Sequence, residues 1–542
     1  MLKTFCTLFA AVFILSSIAC FVAIIHGFPI HEFGVKFKNT KKLFLILCFS
    51  GLGWMLAHGE WRLRWNGFWS RLDHFASQKS AIFILFGAYS ALFLWQQVSE
   101  YFAIKINFIP FGFYDYMFYH FWDSGKVNYT GLLHDYYHLN TILFLFSPLW
   151  KLFPTPILLI ILYGPLVAAP AIPLYFWIRR MIPSLPWLAL LTAAVYLNYR
   201  YLDNYLSMNF CVEAFYGVFI LTAVYFGYAQ KWAKFYLFII LGLLVKEDAF
   251  VYFALLGSIF LFSRKSFFHG LAAIFVSLLG ALLVIKVFAP LTGNAIIAGS
   301  VENYSAHGGS ITAVLKSVMF NPLQAFLIMF NDPQKIETYF SLFYRLLFIP
   351  LFSPAIVTVL GALFPLFLRV TGRDVDFYEL NYQYAAAIVP FVFIAFGFGL
   401  KNLYAFLLRW NRLYLLPVIF SFLFIVNGSN YRSSAFTQDH KKSIEWARKI
   451  PDKPSLNFVT HGQLLPYTPY RQYNYYFAYF LENPVHPYHK PYSTAEYYLI
   501  DTSVNPYPVT PEWVEKKKNE LVENPNYELK ESDGTRFLFK RR

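Results

Sequence analysis

Long apolar runs broken by short basic or polar stretches set the pattern of this chain. The first, within MLKTFCTLFAAVFILSSIACFVAIIHGFPI, is long enough to span a bilayer and reads as an uncleaved transmembrane helix. Further runs fall near 43–59, 80–99, 156–178, 187–201, 210–229, 235–246, 249–262, 270–290, 341–353, 355–369, 385–400 and 413–427. Taken as crossings, they predict an all-α polytopic membrane protein of about 11 to 13 transmembrane helices. The runs near 235–246 and 249–262 are short for full crossings. The turn Lys246-Glu247-Asp248 between them is therefore expected below the membrane surface, in a protein-lined or watery space.

Two stretches break the pattern. TGNAIIAGSVENYSAHGGS reads as a loop, and ITAVLKSVMFNPLQAFLIMF after it as an interfacial helix rather than a crossing. From residue 428 the chain has ordinary polarity. There TQDHKKSIEWARKI predicts a helix capped by Thr437, SLNFVTHG and EYYLID predict short buried strands, PEWVEKKKNELVEN predicts a helix starting at Pro511, and YELKESDGTRFLFK predicts a hairpin over Asp533-Gly534. The resulting organisation is N-terminal transmembrane helices over 1–99, a large external loop over 100–155, a bundle over 156–427 with an external loop near 291–340, and a small external α/β domain over 428–542.

Composition agrees with the pattern. The 542 residues are 58% hydrophobic, 21% aromatic and only 14% charged, which excludes an ordinary soluble protein. The net charge of +15 does not mark a nucleic-acid binder, because the cations punctuate apolar runs and form no basic domain. Arg179 and Arg180, Lys231 and Lys234, Arg264 and Lys265, and Lys401 with Arg409 and Arg412 all fall on one side of the predicted bundle. That side is expected to be cytoplasmic, which places the tail on the outer, periplasmic face of the cell's inner membrane. Lys36, Lys38, Lys41 and Lys42 fall on the outer side in this assignment. Cys6, Cys20, Cys48 and Cys211 make no CxxC pair, so neither a disulfide framework nor a zinc site is indicated.

Candidate chemistry concentrates in the loop from Phe108 to Phe153, which holds Asp115, Asp123, His134, Asp135 and His138 among aromatic residues. Asp115 lies beside the aromatic face formed by Phe111, Tyr114, Phe118 and Phe121, where poor solvation makes it either a paired group or a proton acceptor. Asp123 reads as a solvated helix end. His134-Asp135-x-x-His138 has metal-binding spacing on a helix, but it lacks the general-base Glu of the zincins and has no evident third ligand. Contact of His138 with substrate or phosphate is the alternative to a helix cap. Glu213, Lys246, Glu247 and Asp248 are ionisable groups within apolar runs, a costly placement that marks either a site or an internal pair such as Lys246 with Glu247 or Asp248. Arg345, Arg369, Arg373 and Tyr382 are further candidates for phosphate or sugar contacts. No P-loop, GxSxG or dinucleotide fingerprint occurs, so soluble-cofactor chemistry has no foothold.

The order FYDYMFYHFWDSGK, HLNTILFLFSPLWKLFPTPILLIILYGPLVAAPAIPLYFWIRR, FCVEA, VKEDAF, ELNYQYAAAIVPF resembles a family of predicted prokaryotic membrane proteins defined as a domain of unknown function. That family is similar to the GT-C glycosyltransferases, which transfer a sugar from a polyprenyl-phosphate carrier at the outer membrane face. The resemblance implies a GT-C-like fold, Asp115 as catalytic base, and substrate or phosphate contacts from His138, Glu213, Lys246, Glu247, Asp248 and Tyr382. It departs at two places: Phe210-Cys211-Val212-Glu213 stands for Phe-His-x-Glu, and Asn381-Tyr382 for His-Tyr. The implied partners are the lipid bilayer, a polyprenyl-phosphate sugar donor and an acceptor the sequence leaves open. No cofactor is required, and a divalent metal is compatible with the chemistry. The alternatives are a transporter or flippase-like protein, against which no internal inverted repeat is found, and a non-catalytic membrane scaffold.

Overall fold

The computed structural model describes residues 59–106, 114, 118, 140–262, 264–288, 304, 311–369, 378–427, 434–453, 456–468, 474–476, 495–506 and 509–542. The first two expected crossings, the N-terminal lysines, Asp115, Asp123, His134, Asp135, His138, Arg373 and most of the 291–310 loop lie outside the described residues.

The bundle is built from helices α1 (Gly59–Ser77), α2 (Ser80–Phe102), α3 (Ile157–Ala168), α4 (Ala171–Met181), α5 (Pro186–Leu197), α6 (Arg200–Leu206), α7 (Ala214–Tyr228), α8 (Trp232–Leu243), α9 (Ala249–Ile259), α10 (Phe267–Leu283), α11 (Pro333–Tyr344), α12 (Ile356–Phe367), α13 (Ile388–Arg409) and α14 (Leu415–Val426). Among the described residues, four helical stretches are long and apolar enough to cross a membrane: Ser80–Phe102, Ile157–Met181, Phe267–Val287 and Tyr382–Arg409. The last is buried over most of its length, from Ala385 to Leu400, and forms the centre, whereas Ser80–Phe102 and Phe267–Val287 are mostly unburied and present apolar flanks suited to lipid. Six apolar helices are shorter, α8 and α9 among them. At 1.5 Å per α-helical residue, and about 2 Å for the 3-10 turn Phe260–Phe262 that continues α9, these two rise only about 18 Å and 22 Å, against about 30 Å of hydrocarbon.

Glycines allow the closest helix approaches. A Cβ on Gly257 of α9 would sit 2.8 Å from the carbonyl oxygen of Gly270 in α10, and one on Gly164 of α3 would sit 3.0 Å from the Leu94 amide nitrogen in α2. In lipid, where burial between helices gains little, such small-residue contacts supply much of the packing attraction.

One expected crossing takes a different form. Over 341–353, α11 ends at Tyr344, Leu347 and Phe348 take left-handed φ angles of 50° and 57°, and a 3-10 turn, Ile349–Phe352, follows. Pro350 within that turn and Pro354 after it oppose a continuous helix. The segment runs as a broken chain rather than one helix, from Arg345 beside Val426 to Phe352, whose carbonyl accepts from Asn402 Nδ2 at 2.7 Å. The expected interfacial stretch is helical as Ile311–Phe320 and Pro322–Ile328, with Met319, Phe320 and Leu323 exposed.

Helix hairpins divide the bundle into two ends. Arg179 and Arg180, Lys231 and Lys234, Arg264 and Lys265, and Arg409 sit at helix turns of one end. Tyr175 of α4 ties this end to α1 by donating to the Ala76 carbonyl at 2.5 Å. The opposite end gathers the C-termini of α2 and α14, the N-termini of α7, α9 and α13, and the tail that follows α14.

The tail folds as a five-stranded sheet with helices α15 (Gln438–Ala447) and α16 (Pro511–Glu523). Its strands are β1 (Phe458–Thr460), β2 (Asn474–Tyr476), β3 (Tyr497–Asp501), β4 (Tyr527–Ser532) and β5 (Arg536–Arg541), in the order β2-β1-β3-β5-β4. β1 is parallel to β2 and β3, and β5 is antiparallel to β3 and β4. The sequence signals act as anticipated: Thr437 caps α15 in a capping box with His440, Thr510 caps α16 ahead of Pro511, and Gly534 takes φ 87° in the hairpin turn. The tail rests on the end of α2. Ser434 N donates to Ser99 Oγ at 3.0 Å, Tyr467 donates to the Tyr101 carbonyl, and the Tyr101 and Tyr467 rings lie 4.9 Å apart.

Candidate functional site

The tail-bearing end of an otherwise apolar bundle holds a cluster of buried ionisable groups. α8 stops at Leu243, and Lys246, Glu247 and Asp248 form the non-helical turn before α9. Carbonyls left unpaired at the end of α8 need donors from elsewhere. Ile142 N donates to Leu244 O at 2.7 Å, Thr141 Oγ1 to the same oxygen at 3.0 Å, and Asn140 Nδ2 to Val245 O at 3.1 Å. The later part of the candidate loop thus holds the Lys246 turn in place.

Lys246 Nζ lies 2.9 Å from Glu213 Oε1, with the two side chains only 11% and 10% exposed. Its charge partner is Glu213, at the start of α7, rather than the adjoining Glu247 or Asp248, because consecutive side chains in a turn diverge. Asp248 instead accepts from Tyr216 at 2.6 Å, and Tyr216 sits one helical turn after Glu213 on the same face of α7. The Tyr216 and Tyr252 rings are 5.2 Å apart. Tyr252 in turn has Asp248, Lys246, Tyr304 and Arg369 as electrostatic neighbours, so Arg369 joins the cluster from the end of α12. Tyr378 donates to the Arg369 carbonyl at 2.7 Å, and the Arg369 guanidinium lies 5.8 Å from the Tyr304 ring centre.

A second polar layer borders this cluster. Asn209, in a left-handed conformation with φ 60°, donates to Gln97 Oε1 at 3.0 Å and to Glu100 Oε2 at 2.9 Å. Gln97 passes a further bond to Leu206 O at 2.8 Å. Tyr216, Asn209, Gln97 and Glu100 were not candidates by sequence. Tyr216 could have been found from its i+3 spacing to Glu213, and Gln97 and Glu100 from their place at the end of an apolar run.

Of the candidate residues, Glu213, Lys246, Glu247 and Asp248 come together, and Glu247 is an electrostatic neighbour of Lys246. Tyr382 opens the separate 3-10 turn Tyr382–Ala385 with φ 52° and 39% exposure. Arg345 bonds to Val426 O and Ser341 Oγ, each at 3.3 Å. Cys211, where the resemblance has His, is buried with Sγ 3.2 Å from Tyr163 Oη. Asp115 and His138 lie outside the described residues; of their loop, Tyr114, Phe118 and residues 140–153 are described. Tyr114 packs against Phe210 at 5.2 Å and Phe118 against Trp150 at 6.1 Å. Phe210 stands three residues before Glu213, so the loop meets the bundle beside the ion pair.

The tail contains a different kind of cluster. Arg536 Nε lies 3.0 Å from Asp501 Oδ2 with both side chains almost fully buried, and Asp501 N donates to His461 Nε2 at 3.0 Å. Burial pushes the His461 imidazole down to about 4, against the pull of Asp501. Among the described residues, no group of three or more His, Cys, Asp or Glu side chains is arranged to hold a metal ion.

Helices of membrane-crossing character, a polar cluster at one end and a small α/β tail define a polytopic membrane protein. The chain belongs to the DUF2079 family of predicted membrane proteins, whose model matches residues 112–531. No curated protein matches it.

Proposed function

We propose that this protein is a GT-C-type membrane glycosyltransferase using a polyprenyl-phosphate-linked sugar. The buried Lys246–Glu213 pair at the tail-bearing end carries the reading. Lys246 Nζ uses one of its three donors on Glu213, which leaves two for a phosphate oxygen. Arg369 supplies a second cation nearby. In the reaction proposed, the acceptor hydroxyl attacks the anomeric carbon, the bond from that carbon to the phosphate oxygen breaks, and Asp115 takes the hydroxyl proton. Lys246 and Arg369 stabilise the departing lipid phosphate. Segregation of cations at the opposite end supports placing the tail and the cluster on the outer face of the cell membrane.

Transport is the second reading, and one observation favours it. Three carboxylates, Glu213, Glu247 and Asp248, surround Lys246 and give that locality a surplus of negative charge, as a cation path would. One assay separates the two. Purified protein in proteoliposomes is given polyprenyl-phosphate sugars and candidate acceptors, and release of lipid phosphate is compared between wild type and Asp115→Asn. Release that depends on Asp115 supports the transferase. Equal release in the two removes Asp115 from catalysis, and cation flux without release favours transport.

A further inference from the structure

A second polar site lies apart from the Lys246 turn. Between α6, α11 and the segment Glu379–Asn381 is a cleft of about 290 Å³ lined by Arg200, Tyr201, Asn204, Glu337, Arg345 and Glu379, among other polar residues. Its volume falls just below the ~300–1,000 Å³ typical of sites for drug-sized molecules, which suits a smaller ligand. The floor is built. Tyr201 is buried and has Ser341 as its hydroxyl's partner, with Arg345, Arg200 and Glu337 as electrostatic neighbours. One wall is held by Asn204 Nδ2 donating to Leu380 O at 2.8 Å and by Thr338 Oγ1 donating to Tyr378 O at 2.5 Å. Leu380 and Tyr382, on either side of Asn381, both take left-handed φ angles, 55° and 52°. Such conformations are uncommon for non-glycine residues and gather at ligand clamps.

The lining chooses the ligand class. Two guanidinium groups and two carboxylates balance, so no net charge is favoured. Arg345 directs donors to Val426 O and Ser341 Oγ, Glu379 accepts from Asn381 Nδ2 at 2.9 Å, and the ion pairs of the described residues lie elsewhere. Charges kept apart around a cleft retain hydrogen-bonding capacity toward its contents. A lining of carboxylates, guanidiniums, amides and hydroxyls suits a ligand that is neutral, small and rich in groups that both donate and accept. The geometry points to a saccharide of one or two rings. Carboxylates accept from adjacent hydroxyls and guanidiniums donate to ring and hydroxyl oxygens, each a charge-assisted bond. The cleft opens at the same end of the bundle as the Lys246 cluster, since α6 leads directly through Asn209 to Glu213. As an acceptor site it rests on the glycosyltransferase reading; as a saccharide site it stands without it.

The test uses the full chain in nanodiscs and measures binding by calorimetry and saturation-transfer NMR. The probes are methyl hexopyranosides, a methyl N-acetylhexosaminide and a disaccharide, with glycine and glutamine as zwitterionic competitors. The expected result is saturable binding of at least one saccharide, weakened about tenfold or more in Glu337→Gln and in Arg200→Gln. Both side chains are exposed, and unchanged melting temperatures certify the fold of each variant. Absence of saturable saccharide binding, equal affinity in wild type and both variants, or preference for the zwitterions overturns the proposal. Saccharide binding without any sugar transfer leaves the cleft assigned and removes the transferase reading.

Discussion

Two buried ion pairs, one in the bundle and one in the tail, differ in how far their hydrogen-bonding capacity is used. Arg536 is largely spent, with four of its five donors used: Nε reaches Ser443 Oγ at 3.1 Å, Nη1 reaches Asp533 Oδ2 at 3.0 Å, and Nη2 reaches Asp439 O at 3.1 Å and Ser503 Oγ at 3.3 Å. It ties α15 to the ends of β3 and β5, and at 3% exposure it is closed off from any ligand. Lys246 makes one bond, to Glu213, and stays 11% exposed. Burial of charge is common to both, but the second keeps most of its donors to spare. Unspent hydrogen-bonding capacity is therefore a better guide to a site than burial itself.

The largest effect is expected at the largely spent pair. Arg536→Met strands Asp501 in the tail interior and should destabilise the tail by about 3–5 kcal/mol, measured by denaturant unfolding. An unchanged midpoint would place Arg536 outside the tail's structural core. At the open pair the balance reverses. Lys246→Met should lower sugar transfer roughly 10²–10³-fold. Lys246→Met with Glu213→Gln should recover stability lost to the unpaired carboxylate without recovering turnover, and recovery of both would make the pair purely structural.

The third expectation concerns pH. His461 is held near 4 in the fold and returns to its usual value of 6.5 on unfolding, so the unfolded chain binds the extra proton between those values. Tail stability is complete above about pH 6.5 and falls as the pH drops toward 4. His461→Gln should flatten that part of the profile, read from melting temperatures across the range. A profile unchanged by the substitution would assign acid sensitivity to other groups. The smallest effect is at a helix end: Thr510→Ala removes the bond to Trp513 N and should cost about 1 kcal/mol of tail stability.

The charged positions were legible because hydropathy fails at them. Glu213 and Lys246-Glu247-Asp248 stand out inside apolar runs, and the brevity of the flanking runs placed their turn below the bundle's full height. Their pairing was not legible. Sequence proximity favours Glu247 or Asp248 for Lys246, whereas a bond across 33 residues depends on how α7 and α8 pack. The tail read well from caps and turn residues, which act locally. The segment after α11 read poorly, because an apolar run does not say whether it will be one helix, and there the left-handed pair Leu347 and Phe348 breaks it into a helix end and a 3-10 turn. The saccharide cleft left no motif at all, since α6, α11 and Glu379 are distant in the chain and polar for reasons that look like ordinary surface.

The shortness of α8 and α9 bears on how a donor would arrive. In a bilayer, a helix pair of 12 and 11 residues would leave a step in the wall, which the adjoining leaflet would meet by thinning. A phosphate anchored to a polyprenyl tail is already confined to that leaflet and needs only lateral diffusion and a shallow descent to reach Lys246. Under the proposed transfer, turnover should then follow the mole fraction of donor within the membrane, so that diluting it with inert lipid at constant bulk concentration slows sugar release.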